Sequence, residues 1–118
     1  MQDRPVIKTA IPKHRYQIAD YAATVLGDID AGDGRPYQWI LALVPTGDDQ
    51  PSLYLCCEQA PAGRNADGRY DLRVVNASMS EVVDTADRWG DLETFTEMSL
   101  DLARQVLGLQ NEQPRKLM

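Results

Sequence analysis

Two neighbouring segments of the chain are apolar at consecutive positions, and this feature constrains the fold most. Residues 37–44 read Tyr-Gln-Trp-Ile-Leu-Ala-Leu-Val, and residues 52–58 read Ser-Leu-Tyr-Leu-Cys-Cys-Glu. Residues 45–51 between them are rich in Pro, Gly and Asp, which is typical of a turn. The pattern predicts an antiparallel hairpin. Because side chains alternate between the faces of a strand, both strands need cover on both faces and belong in the centre of a sheet.

An amphipathic helix is predicted near the carboxyl end of the chain. Asp91 is suited to cap its first turn, and Gly108 can adopt the left-handed conformation that ends a helix. A helix of about 16 residues is about 24 Å long, enough to cross a sheet. Its apolar residues recur every three or four positions and form one stripe: Leu92, Phe95, Met98, Leu102, Val106 and Leu109.

The remaining segments have less uniform apolar patterns, and two of them fit more than one kind of secondary structure. Residues 70–75 form a strand after a turn-rich loop that ends in Asp67-Gly68. Residues 16–29 fit either a strand or a helix, and the turn-rich residues 28–36 that follow favour a strand. Residues 79–89 fit either a short helix or an extended segment, and we favour the extended one.

These elements predict an α+β fold. We expect an antiparallel meander sheet of four to five strands, with one C-terminal amphipathic helix packed on one face. Residues 6–109 form a single domain, and residues 1–5 and 110–118 are expected to be loosely ordered tails. One helix covers only one face of the sheet, whereas the central strands are apolar on both. Residues 79–89, the N-terminal segment or a second copy could cover the other face. Because monomers avoid large exposed apolar patches, we predict a homodimer through the sheet.

The charge of the chain disfavours two classes of partner. The net charge is −6 at pH 7, and the basic residues are scattered. Nucleic acids and anionic membranes attract clustered Lys and Arg, so neither is an expected partner. The longest strictly apolar run, residues 39–44, is far too short to span a bilayer. The amino end also lacks the apolar core of a signal peptide, so we expect a cytoplasmic protein.

No group of residues has the spacing of a catalytic, metal or cofactor site. Cys56 and Cys57 are adjacent, so a strand would place them on opposite faces, and we interpret both as structural. His14 is the single histidine, too few for a zinc site with one adjacent thiol pair. The aspartates at 28, 30 and 33 do not follow the spacing of a calcium loop. We therefore predict no catalytic residues, no metal and no cofactor.

A surface of one charge is the strongest hint of function. Residues 81–101 hold seven acidic residues against a single Arg, and such a surface can attract a basic partner. Weak candidates for binding residues are Trp39, Trp89, Asp87 and Arg88. The leading hypothesis is a non-catalytic protein-interaction module that acts through its sheet face or its acidic helix. The alternative is a carrier of a small apolar ligand between sheet and helix, and a thiol-dependent enzyme comes third.

Overall fold

The computed structural model describes residues 1–61 and 68–117, and over these residues it contains seven strands and one α-helix. A short 3₁₀ turn, Asp87–Gly90, precedes the helix. The elements in chain order are β1 (Ile7–Ile18), β2 (Tyr21–Ala31), β3 (Tyr37–Pro45), β4 (Leu53–Gln59), β5 (Tyr70–Asn76), β6 (Ser80–Thr85), α1 (Leu92–Val106) and β7 (Arg115–Lys116).

The strands form one antiparallel sheet in the order β6-β5-β4-β3-β2-β1-β7. Strands β1 to β6 follow one another as a meander, which confirms the predicted α+β class and topology. The predicted hairpin is β3–β4, with Leu43 opposite Leu53 next to the turn. Within the described residues this hairpin is central, as its apolar faces require.

The expected number of four to five strands was wrong, since the described residues form seven. Residues 16–29 span parts of two strands, β1 and β2, that meet at a tight turn after Ile18. This turn contains neither Gly nor Pro, and Ala19 adopts a positive φ of 48° there. Asp20 is the only turn-forming residue between Ile18 and Tyr21, so the sequence carries only a weak turn signal at this point. The last strand, β7, has only two residues and pairs with β1 opposite Tyr16 and Gln17.

The helix begins and ends where its capping residues predict. The Asp91 carboxylate accepts a hydrogen bond from the Thr94 backbone N–H at 2.9 Å. At the other end, Gly108 has a φ of 70°. Its N–H donates to the Gln105 carbonyl at 3.2 Å, and the Leu109 N–H donates to the Arg104 carbonyl at 2.7 Å. These two bonds form a Schellman motif, which satisfies the last carbonyls of the helix.

The first core lies between α1 and the sheet. Helix α1 packs on β3 and β4 with a face that includes Phe95, Ser99 and Ala103, all fully buried. The sheet contributes the residues of β2 to β5 that point to this side, together with Trp89 from the 3₁₀ turn: Ala23, Val25, Leu41, Leu43, Leu53, Leu55, Cys57, Leu72 and Val74. The helix thus covers one face, as predicted.

The opposite face holds a second core that the same chain covers. Its buried members lie on β3, β4 and β5: Ile40, Ala42, Tyr54, Cys56 and Val75. Ile7, Leu26 and Ile29, from the β1–β2 hairpin, pack against them. Three irregularities in the register of β1 accompany this arrangement, and bulges of this kind bend a strand. The homodimer stays a prediction, but the apolar face on which it was based is buried within one chain.

The longest apolar run of the sequence was predicted to be too short to span a bilayer. No helix in residues 1–61 and 68–117 is long and apolar enough to cross a membrane.

Candidate functional site

A groove of about 760 Å³ runs beside α1 at the surface formed by the described residues. The sheet side contributes Tyr16, Leu72, Val83 and Asp84, and Trp89 comes from the 3₁₀ turn. The helix contributes three acidic residues, one arginine and several apolar or polar residues: Glu93, Thr96, Glu97, Met98, Leu100, Asp101, Leu102, Arg104 and Gln105. Grooves of a few hundred to a thousand Å³ are typical of ligand sites.

The groove has a closed apolar floor and two exposed apolar residues. Leu72, Trp89 and Leu100 are each at most 5% exposed, so they belong to the core as well as to the floor. Val83 on β6 is 46% exposed and Met98 on α1 is 38% exposed. These two side chains offer the groove's free apolar surface, and a partner would gain free energy by covering them.

Acidic side chains line the groove, and most of them have a local partner. Asp84 pairs with Arg88, and Glu93 contacts Nε2 of His14 at 3.0 Å. Asp101 lies 3.6 Å from Arg104, whereas Glu97 has no ion-pair partner among the residues described. Because all these carboxylates are at least partly exposed, such pairs offset their charge only in part. The rim therefore remains negative overall.

Arg104 is the basic residue of the groove wall. Its NH2 group donates to the Gln110 carbonyl at 2.6 Å, which fixes the segment that follows the helix. Its Nε is buried and has no hydrogen-bond partner in the part of the chain that the structure describes. An unpaired buried donor costs free energy, so an acceptor that reached Nε would be favoured.

Of the four binding residues proposed from the sequence, only Trp89 lines the groove. Its Nε1 donates to the Asp84 carboxylate at 2.9 Å, and the Arg88 guanidinium lies 5.0 Å from its ring centroid. Arg88 therefore contacts two residues of the groove wall, Asp84 and Trp89, without lining the groove itself. Asp87 instead contacts Arg69, with 3.5 Å between carboxylate and guanidinium.

Trp39 lies apart from the groove and is half-buried. Its Nε1 donates to the Gly90 carbonyl at 3.1 Å, which ties β3 to the 3₁₀ turn. A Cβ at Gly27 would lie 2.8 Å from its ring, so the glycine leaves room for the indole. Trp39 is thus a packing residue.

Sequence reasoning missed several groove residues, among them Tyr16, Val83 and Met98. Met98 was assigned to the inner stripe of the helix, but it lies at the edge of that stripe and is partly exposed. Val83 lies at a register shift in the pairing of β5 with β6, and no local sequence pattern predicts such a shift. Only the tertiary packing of α1 on the sheet brings these residues into one groove.

The two thiols are placed for packing. Cys56 and Cys57 are both fully buried, and the Cys57 thiol donates to the Trp89 carbonyl at 3.2 Å. Burial raises the pKa of Cys57 to about 12 and raises the pKa of Cys56 as well. His14 contacts Glu93 and packs near Tyr16, and neither thiol is among its hydrogen-bond partners in the part of the chain that the structure describes. This arrangement gives no support to the hypothesis of a thiol-dependent enzyme.

The acidic turn residues also have structural partners. Asp33 accepts hydrogen bonds from the backbone N–H groups of Val6 and Arg35 and from the Tyr37 hydroxyl, and Asp28 pairs with Lys13 at 2.8 Å. Within residues 1–61 and 68–117, no three His, Cys, Asp or Glu side chains are grouped as a metal site requires.

The chain matches no protein-family model, no curated protein and no solved structure. Its function therefore has to be inferred from the groove, the charge and the packing of the described residues.

Proposed function

We propose that the protein is a non-catalytic interaction module that binds a basic, partly apolar segment of a partner protein in the groove beside α1. The observation that carries this proposal is the position of exposed Val83 and Met98 within an acidic rim. Lys and Arg of a partner would meet the rim, and its apolar side chains would cover the two exposed residues.

The edge of the sheet adds a second attachment point for an extended segment. Strand β6 is the end strand of the sheet, and it pairs with β5 on one side. Its other side has no strand partner among the residues that the structure describes, so backbone groups there can bond to an added strand. Val83 and Asp84 lie on this strand, next to the groove.

A carrier of a small apolar ligand is the second candidate, and the volume of the groove favours it. Its floor, however, consists of Leu72, Trp89 and Leu100, which expose little surface. A ligand of this kind gains most by burying its surface in a deep pocket. A segment that lies along the rim would cover the exposed side chains of Val83 and Met98, so the interaction module ranks first.

A peptide titration tests the proposal. A short peptide that alternates Lys or Arg with Leu or Val is titrated against the chain by calorimetry, and its counterpart with Glu at the basic positions serves as the control peptide. We expect saturable binding of the basic peptide only, and weaker binding at high salt because the rim charges are screened. Native mass spectrometry of the purified chain tests the carrier hypothesis, which predicts a bound small molecule.

Substitutions locate the binding site. Glu97→Lys reverses a rim charge and should weaken binding about fivefold. Met98→Ala removes apolar contact area and should weaken it by a similar factor. Asp48→Lys makes the same change of charge in the exposed β3–β4 loop, away from the groove, and should leave the affinity within about twofold. Equal losses for the Lys variants at 48 and 97 would show general charge attraction and contradict a specific groove.

A further inference from the structure

The N-terminal strap, residues 1–6, crosses the face of the sheet opposite α1. Asp3 accepts a hydrogen bond from Ser80 Oγ at 2.6 Å, although the two residues are 77 positions apart. The Arg4 guanidinium lies 5.9 Å from the ring centroid of Tyr54 and donates to Gln50 at 3.0 Å. The strap therefore reaches from β1 across β4 to the edge strand β6.

The carboxylate of Asp3 lies among side chains that are suited to bind a carboxylate. Its second oxygen lies 3.2 Å from the Arg35 guanidinium. Arg73 donates to the Ser80 hydroxyl at 3.4 Å, so it supports the group that binds Asp3. Both arginines also contact one oxygen of the nearly buried Glu58, at 3.5 Å for Arg35 and 3.1 Å for Arg73.

The charges explain why a second carboxylate belongs there. Glu58 balances one of the two guanidinium groups, and the other positive charge faces Asp3. The carboxylate of Asp33 is near Arg35, but its oxygens accept from the N–H groups of Val6 and Arg35 and from the Tyr37 hydroxyl. Planar guanidinium groups bind carboxylates with good geometry, and a hydroxyl adds a further donor.

We propose that Arg35, Arg73 and Ser80 form a carboxylate-binding site, which Asp3 fills from within the chain as a latch for the strap. Tyr54, whose ring lies near the Arg4 guanidinium, and Cys56 are both buried on the second face of the sheet. Release of Asp3 opens this face and leaves the site ready for the carboxylate of an acidic peptide. The proposal concerns the face opposite the groove and does not depend on the proposed function.

The strap is held mostly by single hydrogen bonds and partly exposed ion pairs, and Pro5 is its one buried residue, so opening is accessible. Residues 1–6 form no helix or strand, and the Asp3 side chain is itself exposed to solvent. Exposed ion pairs and single hydrogen bonds stabilise a segment modestly, so such segments open more readily than the core.

The two adjacent cysteines report the opening. The unmodified chain and its Asp3→Asn variant are treated with iodoacetamide, and the rate at each cysteine is followed by mass spectrometry. We expect the variant to react about threefold faster or more at Cys56, because loss of the latch charge favours opening. Cys57, under the helix on the other face, should keep its rate. Glu112→Gln, which removes an exposed charge elsewhere, should change neither rate.

A second measurement tests the site itself with acetate as the probe. In the Asp3→Asn variant, acetate at constant ionic strength should shift the NMR signals of the Arg35 and Arg73 Nε–H groups and saturate. In the unmodified chain Asp3 competes, so saturation should require at least about threefold more acetate. Equal acceleration of both cysteines, or no acceleration at Cys56, would overturn the latch. Absence of saturable shifts in the variant would overturn the carboxylate site.

Discussion

Cys56 and Cys57 are neighbours in β4, yet they belong to different cores. Cys56 packs with Ile40 and Val75 on the face crossed by the N-terminal strap, and Cys57 packs under α1. The alternation of side chains along a strand produces this separation. The pair therefore probes the two faces of the sheet independently.

Both thiols should be unreactive in the native chain. Burial raises both pKa values, to about 12 for Cys57, so the reactive thiolate is scarce at pH 8. We expect alkylation by iodoacetamide to be at least about a hundredfold slower than in the urea-unfolded chain. Fast and selective modification of one native cysteine would instead favour the thiol-dependent enzyme.

Removal of Glu58 should destabilise the fold. Its carboxylate is nearly buried between Arg35 and Arg73, so Glu58→Ala leaves two guanidinium groups without that partner. We expect a loss of about 2–3 kcal/mol in the free energy of unfolding, below the usual cost of breaking a fully buried pair because both arginines are partly exposed. Urea unfolding measures it. Glu112→Ala, at an exposed site, should stay within about 0.5 kcal/mol, and an equally small effect at Glu58 would contradict a structural role.

Two glycines with positive φ should differ in their tolerance of alanine. Gly68 has a φ of 140°, and a Cβ there would lie 2.5 Å from the Ala86 Cα. Gly47 has a φ of 91°, but a Cβ there meets no atom within 4 Å among those described. Gly47→Ala should cost about 1 kcal/mol through backbone strain, and Gly68→Ala about 3 kcal/mol or more because the backbone of Ala86 must move. Equal midpoints in urea would refute this difference.

The Asp91 cap should make the stability of the chain depend on pH. The Thr94 backbone N–H, followed by the Thr94 hydroxyl, lowers the pKa of Asp91 in the folded chain. A lowered pKa stabilises the fold above the unfolded value of about 4, and this contribution is lost as the pH falls through the folded value. Asp91→Ala should lower the melting temperature by about 3–6 °C at pH 7.

The difference between Asp91→Ala and the unmodified chain should shrink in acid. Circular dichroism melts at pH 7 and below pH 3 measure it, and Asp91→Asn, which can still accept the hydrogen bond, should retain part of the stability. A difference that stays constant with pH would show that the charge of Asp91 contributes nothing.

Much of the fold could be predicted because its signals are local. The spacing of apolar residues from Leu92 and the caps Asp91 and Gly108 fixed α1, since helix periodicity and capping act within a few residues. The β3–β4 hairpin followed from two apolar runs around a Pro- and Gly-rich turn. The β1–β2 turn escaped prediction because Ala19 occupies a position where Gly or Asn is usual.

The candidate sites could be predicted only in part. The acidic character of residues 81–101 was visible in the sequence, and Trp89, one of the candidates from the sequence, lines the groove. The groove was not, because it requires Val83 of β6 and Met98 of α1, which belong to separate elements, to line the same cavity. The carboxylate site was equally hidden, since it joins Asp3, Arg35 and Ser80 from distant parts of the chain.

The sequence by itself determined that the central strands need cover on both faces and that one helix covers one of these faces. It also determined that the surface is acidic. Tertiary structure alone decided how the other half is supplied, by the bent β1–β2 hairpin and the N-terminal strap. The physical reason is the distance along the chain over which each kind of interaction acts. Periodicity and turn chemistry act between near neighbours, whereas burial of the second face depends on contacts between residues far apart in the chain, which no local pattern encodes.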